Sequence, residues 1–210
     1  MLRVRPQFYG MASDQDSLSD SRPAHEGFLE GQLLIAMPGI GDPRFERALI
    51  LVCAHDAEHA MGLAINRPVD GLTLQSLLER LELPAPPGAE TAPVLLGGPV
   101  ERERGFVLHT PDYGQDDATL RIEGGFSLTA TRQALEALAC EHPPRLARLA
   151  LGYAGWGPGQ LEQEIRHNVW LTCPADEALV FDADHDTKWS RALQKIGVDP
   201  HFLTAQAGRA

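Results

Sequence analysis

Three apolar runs, Gln32-Leu33-Leu34-Ile35-Ala36-Met37, Ala48–Cys53 and Met61–Ile65, constrain the fold of this chain more than any other feature. The first shows no polar alternation and is closed by Pro38-Gly39, a pattern that fits a strand buried on both faces. The other two are separated by the polar His55-Asp56-Ala57-Glu58-His59, which predicts a hairpin. Between the first and second runs, Asp42 is an N-cap followed by proline, so Pro43–Arg47 is expected to make one helical turn.

Further along, Leu74, Leu77, Leu78 and Leu81 recur at helical spacing behind a capping Thr73, which predicts a helix over Leu72–Leu81. Strands are expected at Val94–Leu96, Gly105–His109, Thr119–Ile122, Leu146–Tyr153, Val169–Thr172 and Ala178–Phe181. Helices are expected at Thr131–Cys140, Pro158–His167 and Lys188–Ile196, with Glu162 and Arg166 spaced for an ion pair. Strands thus come singly, paired and interleaved with helices, which makes the fold class α+β and excludes both strict βαβ alternation and an all-β sandwich. No period repeats, so solenoids and propellers are excluded too.

The 210 residues are 43% hydrophobic and 22% charged, the balance of one globular domain of average composition. The longest stretch without Asp, Glu, Lys or Arg, Leu149–Leu161, is far short of a membrane span, so no membrane association is expected. Residues 1–27 are polar and lack the apolar core of a secretory signal, so a loose tail is expected there and a single domain over 28–210. Cys53, Cys140 and Cys173 offer neither a disulfide framework nor a CxxC motif, which fits a reducing cytoplasm. Eighteen basic against 29 acidic residues give a formal charge of −11, and the arginine clusters at Arg102/Arg104 and Arg145/Arg148 are short, so direct nucleic-acid binding is disfavoured.

Most motif-like segments fail the chemistry they suggest. Gly39-Ile40-Gly41-Asp42-Pro43-Arg44 puts Arg44 where a dinucleotide-binding turn needs its third glycine, and no P-loop exists. Gly125-Phe126-Ser127-Leu128-Thr129 lacks the second glycine of a nucleophile elbow, which leaves Ser127 a strand residue. His55 and His59 are expected in a solvated turn, and Glu164 with His167 lacks the second copy a di-iron site needs, so no metal site is expected. Asn66-Arg67-Pro68 and Gly97-Gly98-Pro99 are explained by turn chemistry. More suggestive is Gly152–Glu162, where four glycines lead from a strand into a helix start. Its backbone amides are placed to hold an anion or carbonyl, or its glycines simply allow close packing around Trp156.

Gly31–Pro38, Asp42-Pro43-x-Phe45-x-Arg47, Gly62-Leu63-x-Ile65-Asn66-Arg67-Pro68, Gly97-Gly98-Pro99-Val100 and Leu151–Glu162 together resemble the bacterial YqgE/AlgH family, from about Leu29 to the end. Ala54 and Arg209 depart from the family's usual Glu and His at those positions. The resemblance implies a single compact domain with a branched mixed β-sheet, a small barrel-like portion and helices around it. It implies no established reaction and no cofactor. Members are labelled transcriptional regulators through a link with alginate control.

Two functions remain open at this point. One is a cytoplasmic regulatory or adaptor protein that binds a protein or small-molecule partner. The other is an enzyme of unknown reaction near Asn66, Arg67 and Trp156. The candidate ligand-binding residues are Asn66, Arg67, His109, Gly155, Trp156, Gly157, Gln160 and Glu162, with the glycine-rich turn facing Asn66 and Arg67 across one pocket. Oligomeric state is left open.

Overall fold

A computed structural model describes residues 28–114 and 117–203. The expected tail over 1–27 and the departure at Arg209 lie outside the described residues. Among the described residues there are ten strands and five short helices. The first apolar run forms β1 (Gln32–Ala36), and its side chains divide between two cores: Leu33 and Ile35 on one face, Leu34 and Ala36 on the other. Burial of both faces is why the run shows no alternation. The predicted hairpin forms from β2 (Leu49–His55) and β3 (Ala60–Ala64), antiparallel with a bulge near Cys53.

The chain then runs through β4 (Pro68–Thr73), β5 (Pro93–Leu96), β6 (Val100–His109), β7 (Thr119–Ile122), β8 (Phe126–Thr129), β9 (Ala147–Trp156) and β10 (Trp170–Pro174). The sheet order is β10-β1-β2-β3-β9-β6-β8-β7, and β9 is where it branches. Along one edge β9 pairs antiparallel with β6; along the other it pairs parallel with β5 at Ala150 and Leu151, then antiparallel with β3 from Ala154 to Trp156. The chain leaves β5 on one edge of β9 and enters β6 on the other, so the link between them crosses β9 at close range. Gly98 allows this, since a Cβ there would lie 2.1 Å from the Tyr153 carbonyl carbon. Gly97-Gly98-Pro99 therefore does more than turn the chain: it is the wedge of the branch point.

Past β9 the sheet curls into a half-barrel. Ile122, Phe126 and Leu128 come back to share one core with Leu33, Leu51 and Cys53. Helices α1 (Leu74–Arg80) and α2 (Arg132–Ala137) pack with Val94, Val107 and Leu149 on one side of the sheet, and both carry threonine N-caps, Thr73 and Thr131. Helix α3 (Gln160–Arg166) lies against β10, while α4 (Glu177–Val180) and α5 (Lys188–Lys195) close the largest core. The helices thus cover separate patches and do not surround the sheet.

Two local expectations are corrected. Ala178–Phe181, expected as a strand, belongs largely to α4, because the Asp176 side chain caps it by accepting from the Leu179 N–H at 2.8 Å. A four-residue apolar run carries no period with which to separate strand from helix. Glu162 and Arg166 form no ion pair; the Glu162 carboxylate instead meets His55 Nε2 at 3.1 Å.

Candidate functional site

An open groove of about 1570 Å³ lies between the turn that follows β1, the turn that follows β3, and α5 with the chain beyond it. Asn66 builds its floor. The carboxamide oxygen accepts from the Leu49 N–H at 2.8 Å, and its nitrogen donates to the Arg47 carbonyl at 2.9 Å, so one side chain ties the start of β2 to the end of β3. Arg67 Nη1 donates to the Glu46 carbonyl at 2.7 Å. Opposite, Trp189 on α5 donates its indole N–H to the Ala36 carbonyl at 2.9 Å, and the Arg47 guanidinium lies 5.5 Å above its ring. Arg47 itself is held at φ 51, a left-handed conformation that costs a non-glycine residue about 1–3 kcal/mol.

Behind this wall lie buried cations. Lys188 is wholly enclosed; its Nζ donates to the carbonyls of Ile65 at 3.0 Å and Val180 at 2.8 Å. Burial, reinforced by Arg148, pushes its ammonium down to about 7. Arg148 donates to the Phe181 and Ala147 carbonyls, so Lys188 and Arg148 together occupy carbonyls at the C-terminal end of α4. His185 also lines the groove, with Nδ1 3.3 Å from the Ile65 carbonyl and Nε2 without a partner among the described residues; burial and the Lys188 charge lower its pKa. The nearby carboxylate, Asp182, is engaged by Arg191 and by the Asp184 N–H.

The glycine-rich turn faces a different cavity, a crevice of about 320 Å³ that shares with the groove only Ile40, Asp42 and the turn they belong to. Its organising group is Glu164. One carboxylate oxygen accepts from the indole N–H groups of Trp156 at 2.9 Å and Trp170 at 2.7 Å; the other accepts from the Gln160 amide at 2.8 Å. The two indoles meet edge to face at 6.0 Å, and Phe45 meets Trp170 likewise at 5.8 Å.

The residues nominated from sequence therefore fall in several places. Asn66 and Arg67 line the groove, whereas Gly155, Trp156 and Gln160 line the crevice. The Gly157 N–H, expected to be free for a ligand, donates to the Gln160 side chain at 3.1 Å. Glu162 faces His55. That histidine was expected in a solvated turn but is buried at the end of β2; its Nδ1 accepts from the Leu29 N–H at 3.0 Å, so Nε2 carries the proton shared with Glu162. His59 does lie in an exposed turn, paired with Asp56 at 3.0 Å. His109 is a satisfied core histidine between the Thr110 carbonyl at 2.8 Å and Thr129 Oγ1 at 2.9 Å, with its pKa lowered by burial. Among the described residues no three His, Cys, Asp or Glu side chains gather in a metal-binding group, and no helix is long and apolar enough to cross a membrane. Sequence reasoning named Arg47 only at the end of a helical turn and within the family resemblance and Glu164 only as half of a rejected di-iron pattern, and gave Trp189 and Lys188 no role. The signal available for Lys188 was weak: it is one of two lysines in an arginine-rich chain and directly precedes a tryptophan.

Fold and site together define a class of protein: a single α+β domain whose mixed sheet branches at one strand, curls, and leaves an open groove beside the strand ends. The chain belongs to the AlgH-like family, whose model matches residues 33–201. It is 61% identical over 184 residues to a UPF0301 protein of Caulobacter vibrioides, across 87% of this chain and 94% of that relative. A UPF0301 protein of a Methylobacterium species is 48% identical over 206 residues, across 95% and 98% of the two chains. The solution structure of the AlgH protein from Pseudomonas aeruginosa is similar at a TM-score of 0.70 with 40% identity, covering 92% of this chain and all of that one. A crystal structure of a Corynebacterium diphtheriae protein shares the fold at a TM-score of 0.62 and 19% identity, over 84% of this chain and 89% of that one.

Proposed function

We propose that this protein is a cytoplasmic regulatory or adaptor protein that receives a segment of a partner protein in the groove beside Asn66 and Arg67. The observation that carries the proposal is the groove itself. At about 1570 Å³ and open along its length, it exceeds the roughly 300–1,000 Å³ of a usual small-molecule pocket. Its polar side chains support binding more than catalysis. Ser190 Oγ donates to the Thr187 carbonyl, Trp189 to the Ala36 carbonyl and Asn66 to the Arg47 carbonyl, so among the described residues that line the groove no hydroxyl is set against a base as nucleophilic catalysis requires. The regulator label of the family is here referred to protein contact, since a formal charge of −11 opposes a phosphate backbone. Three unpaired cysteines fit the cytoplasm.

A photo-crosslinking residue placed at Gln194, in the groove, is expected to give a discrete protein adduct in cells. The same probe at Glu90, exposed outside the groove, is expected to give none. Identical adducts from both positions, or none from Gln194, would overturn the proposal.

A further inference from the structure

We infer that the groove is anchored by a seat for one carboxylate, carried by a side chain of the docking segment and gripped by Arg47 and Arg67. This rests on the groove being the docking site and adds the chemistry of what enters it. Arg44, Arg104, Arg132, Arg145 and Arg191 each meet a carboxylate within 3.0 Å. Arg47 and Arg67 meet none among the described residues, although both line a concave surface. Each is nevertheless held in place without its charge being neutralised. Among the described residues Arg67 gives one N–H to the Glu46 carbonyl and none of its other donors to a partner, and Arg47 rests on the Trp189 ring with the edge of its guanidinium unengaged. Asn66 fixes the backbone under both, through the Arg47 carbonyl and the Leu49 N–H. Two guanidiniums immobilised in this way suit the planar, two-oxygen geometry of a carboxylate.

The charges nearby narrow the choice further. Glu46, Asp186 and Asp199 line the same groove, so a run of acidic residues or a phosphate dianion meets repulsion on either side of the arginines. A single carboxylate flanked by cationic side chains meets complementary charge throughout. The fitting segment therefore has the pattern basic, acidic, basic.

The full chain, labelled at its arginine Nε–H and tryptophan indole groups, can be titrated by NMR with N-acetyl-Lys-Glu-Lys amide and, in parallel, N-acetyl-Lys-Gln-Lys amide. The expected result is saturable shifts at Arg47, Arg67 and Trp189, with the glutamate peptide binding about tenfold more tightly than its neutral twin. Arg47→Gln and Arg67→Gln are each expected to remove most of that preference. Should Arg67→Gln fail to fold for loss of its bond to Glu46, Arg47→Gln alters an exposed side chain and carries the test alone. Equal affinity for the two peptides, shifts that do not saturate, or a preference that survives Arg47→Gln would overturn the seat. The crosslink at Gln194 separates the two inferences: an adduct without peptide preference keeps the groove and removes the seat, while peptide preference without an adduct keeps the seat and removes the docked partner.

Discussion

The groove and the crevice are neighbours built from similar materials, since each has tryptophan, a turn that follows a strand, and polar side chains at a helix. They differ in where the hydrogen bonds go. In the crevice the polar groups consume one another: Glu164 takes both indole N–H groups and the Gln160 amide, and Gln160 in turn takes the Gly157 N–H. In the groove the side chains are tied to backbone carbonyls, and among the described residues no carboxylate meets the charged ends of Arg47 and Arg67. A closed set of polar bonds holds a fold together, whereas a set with donors to spare can hold something else.

The largest effect that would test this contrast lies at Glu164. Its removal strands two indole N–H groups on buried tryptophans, and each unsatisfied buried donor costs about 1–3 kcal/mol. Together that is about 2–6 kcal/mol, so Glu164→Ala is expected to lower Tm by roughly 4–24 °C for a chain of this size. Glu164→Gln, which keeps one carbonyl oxygen, is expected to lose less. A Glu164→Ala melting curve within about 2 °C of the parent would mean that the crevice is not scaffold, and the contrast would fail on that side.

Next in size is Lys188, which stands behind the groove wall. Its ammonium is depressed from the ordinary 10.5 to about 7, so between these values the unfolded chain binds a proton that the folded chain does not. Stability from this group therefore rises with pH across the window from about 7 to 10.5, is fully present above it, and is absent below it. The slope is at most about 1.4 kcal/mol per pH unit. Lys188→Met should remove the rise, so the difference in urea midpoint between parent and variant should change steadily from pH 7 to pH 9. A constant difference across that range would show that Lys188 is charged throughout, with a partner compensating for its burial.

What the chain reveals before folding follows the same division. β1, the β2–β3 hairpin, the Thr73 cap and the Asp42 cap are local, and periodicity or capping chemistry exposed each of them. Asn66 and Arg67 were visible too, because a polar pair before proline closes an apolar strand. What lies opposite them was not. Trp189 on α5 and His185 in the turn before it reach the groove from more than a hundred residues later in the chain, and the left-handed backbone at Arg47 has no signature in an arginine. Gly155–Gly159 looked like a ligand turn because glycine leaves amides open, but whether the neighbouring Gln160 turns back onto Gly157 is decided by the Trp156–Glu164–Trp170 arrangement. Spacing shows that a donor exists; only the fold shows whether it is already taken.

The smallest effect is expected at Arg47, and its smallness is informative. Replacing it with glycine relieves a left-handed φ worth about 1–3 kcal/mol, partly offset by glycine's greater freedom in the unfolded chain, roughly 1 kcal/mol. The same change removes a cation–π contact of about 0.5–1 kcal/mol with Trp189. Asn66 bonds to the Arg47 carbonyl, which glycine also has, so the floor of the groove stays intact. These contributions nearly cancel, and Arg47→Gly should leave the urea unfolding free energy within about 1 kcal/mol of the parent. A loss above about 2 kcal/mol would place the Arg47 guanidinium among the groups that hold the wall up, as Glu164 does in the crevice. The groove would then have no spare charge at that position, and the contrast between the two regions would reduce to a difference in size.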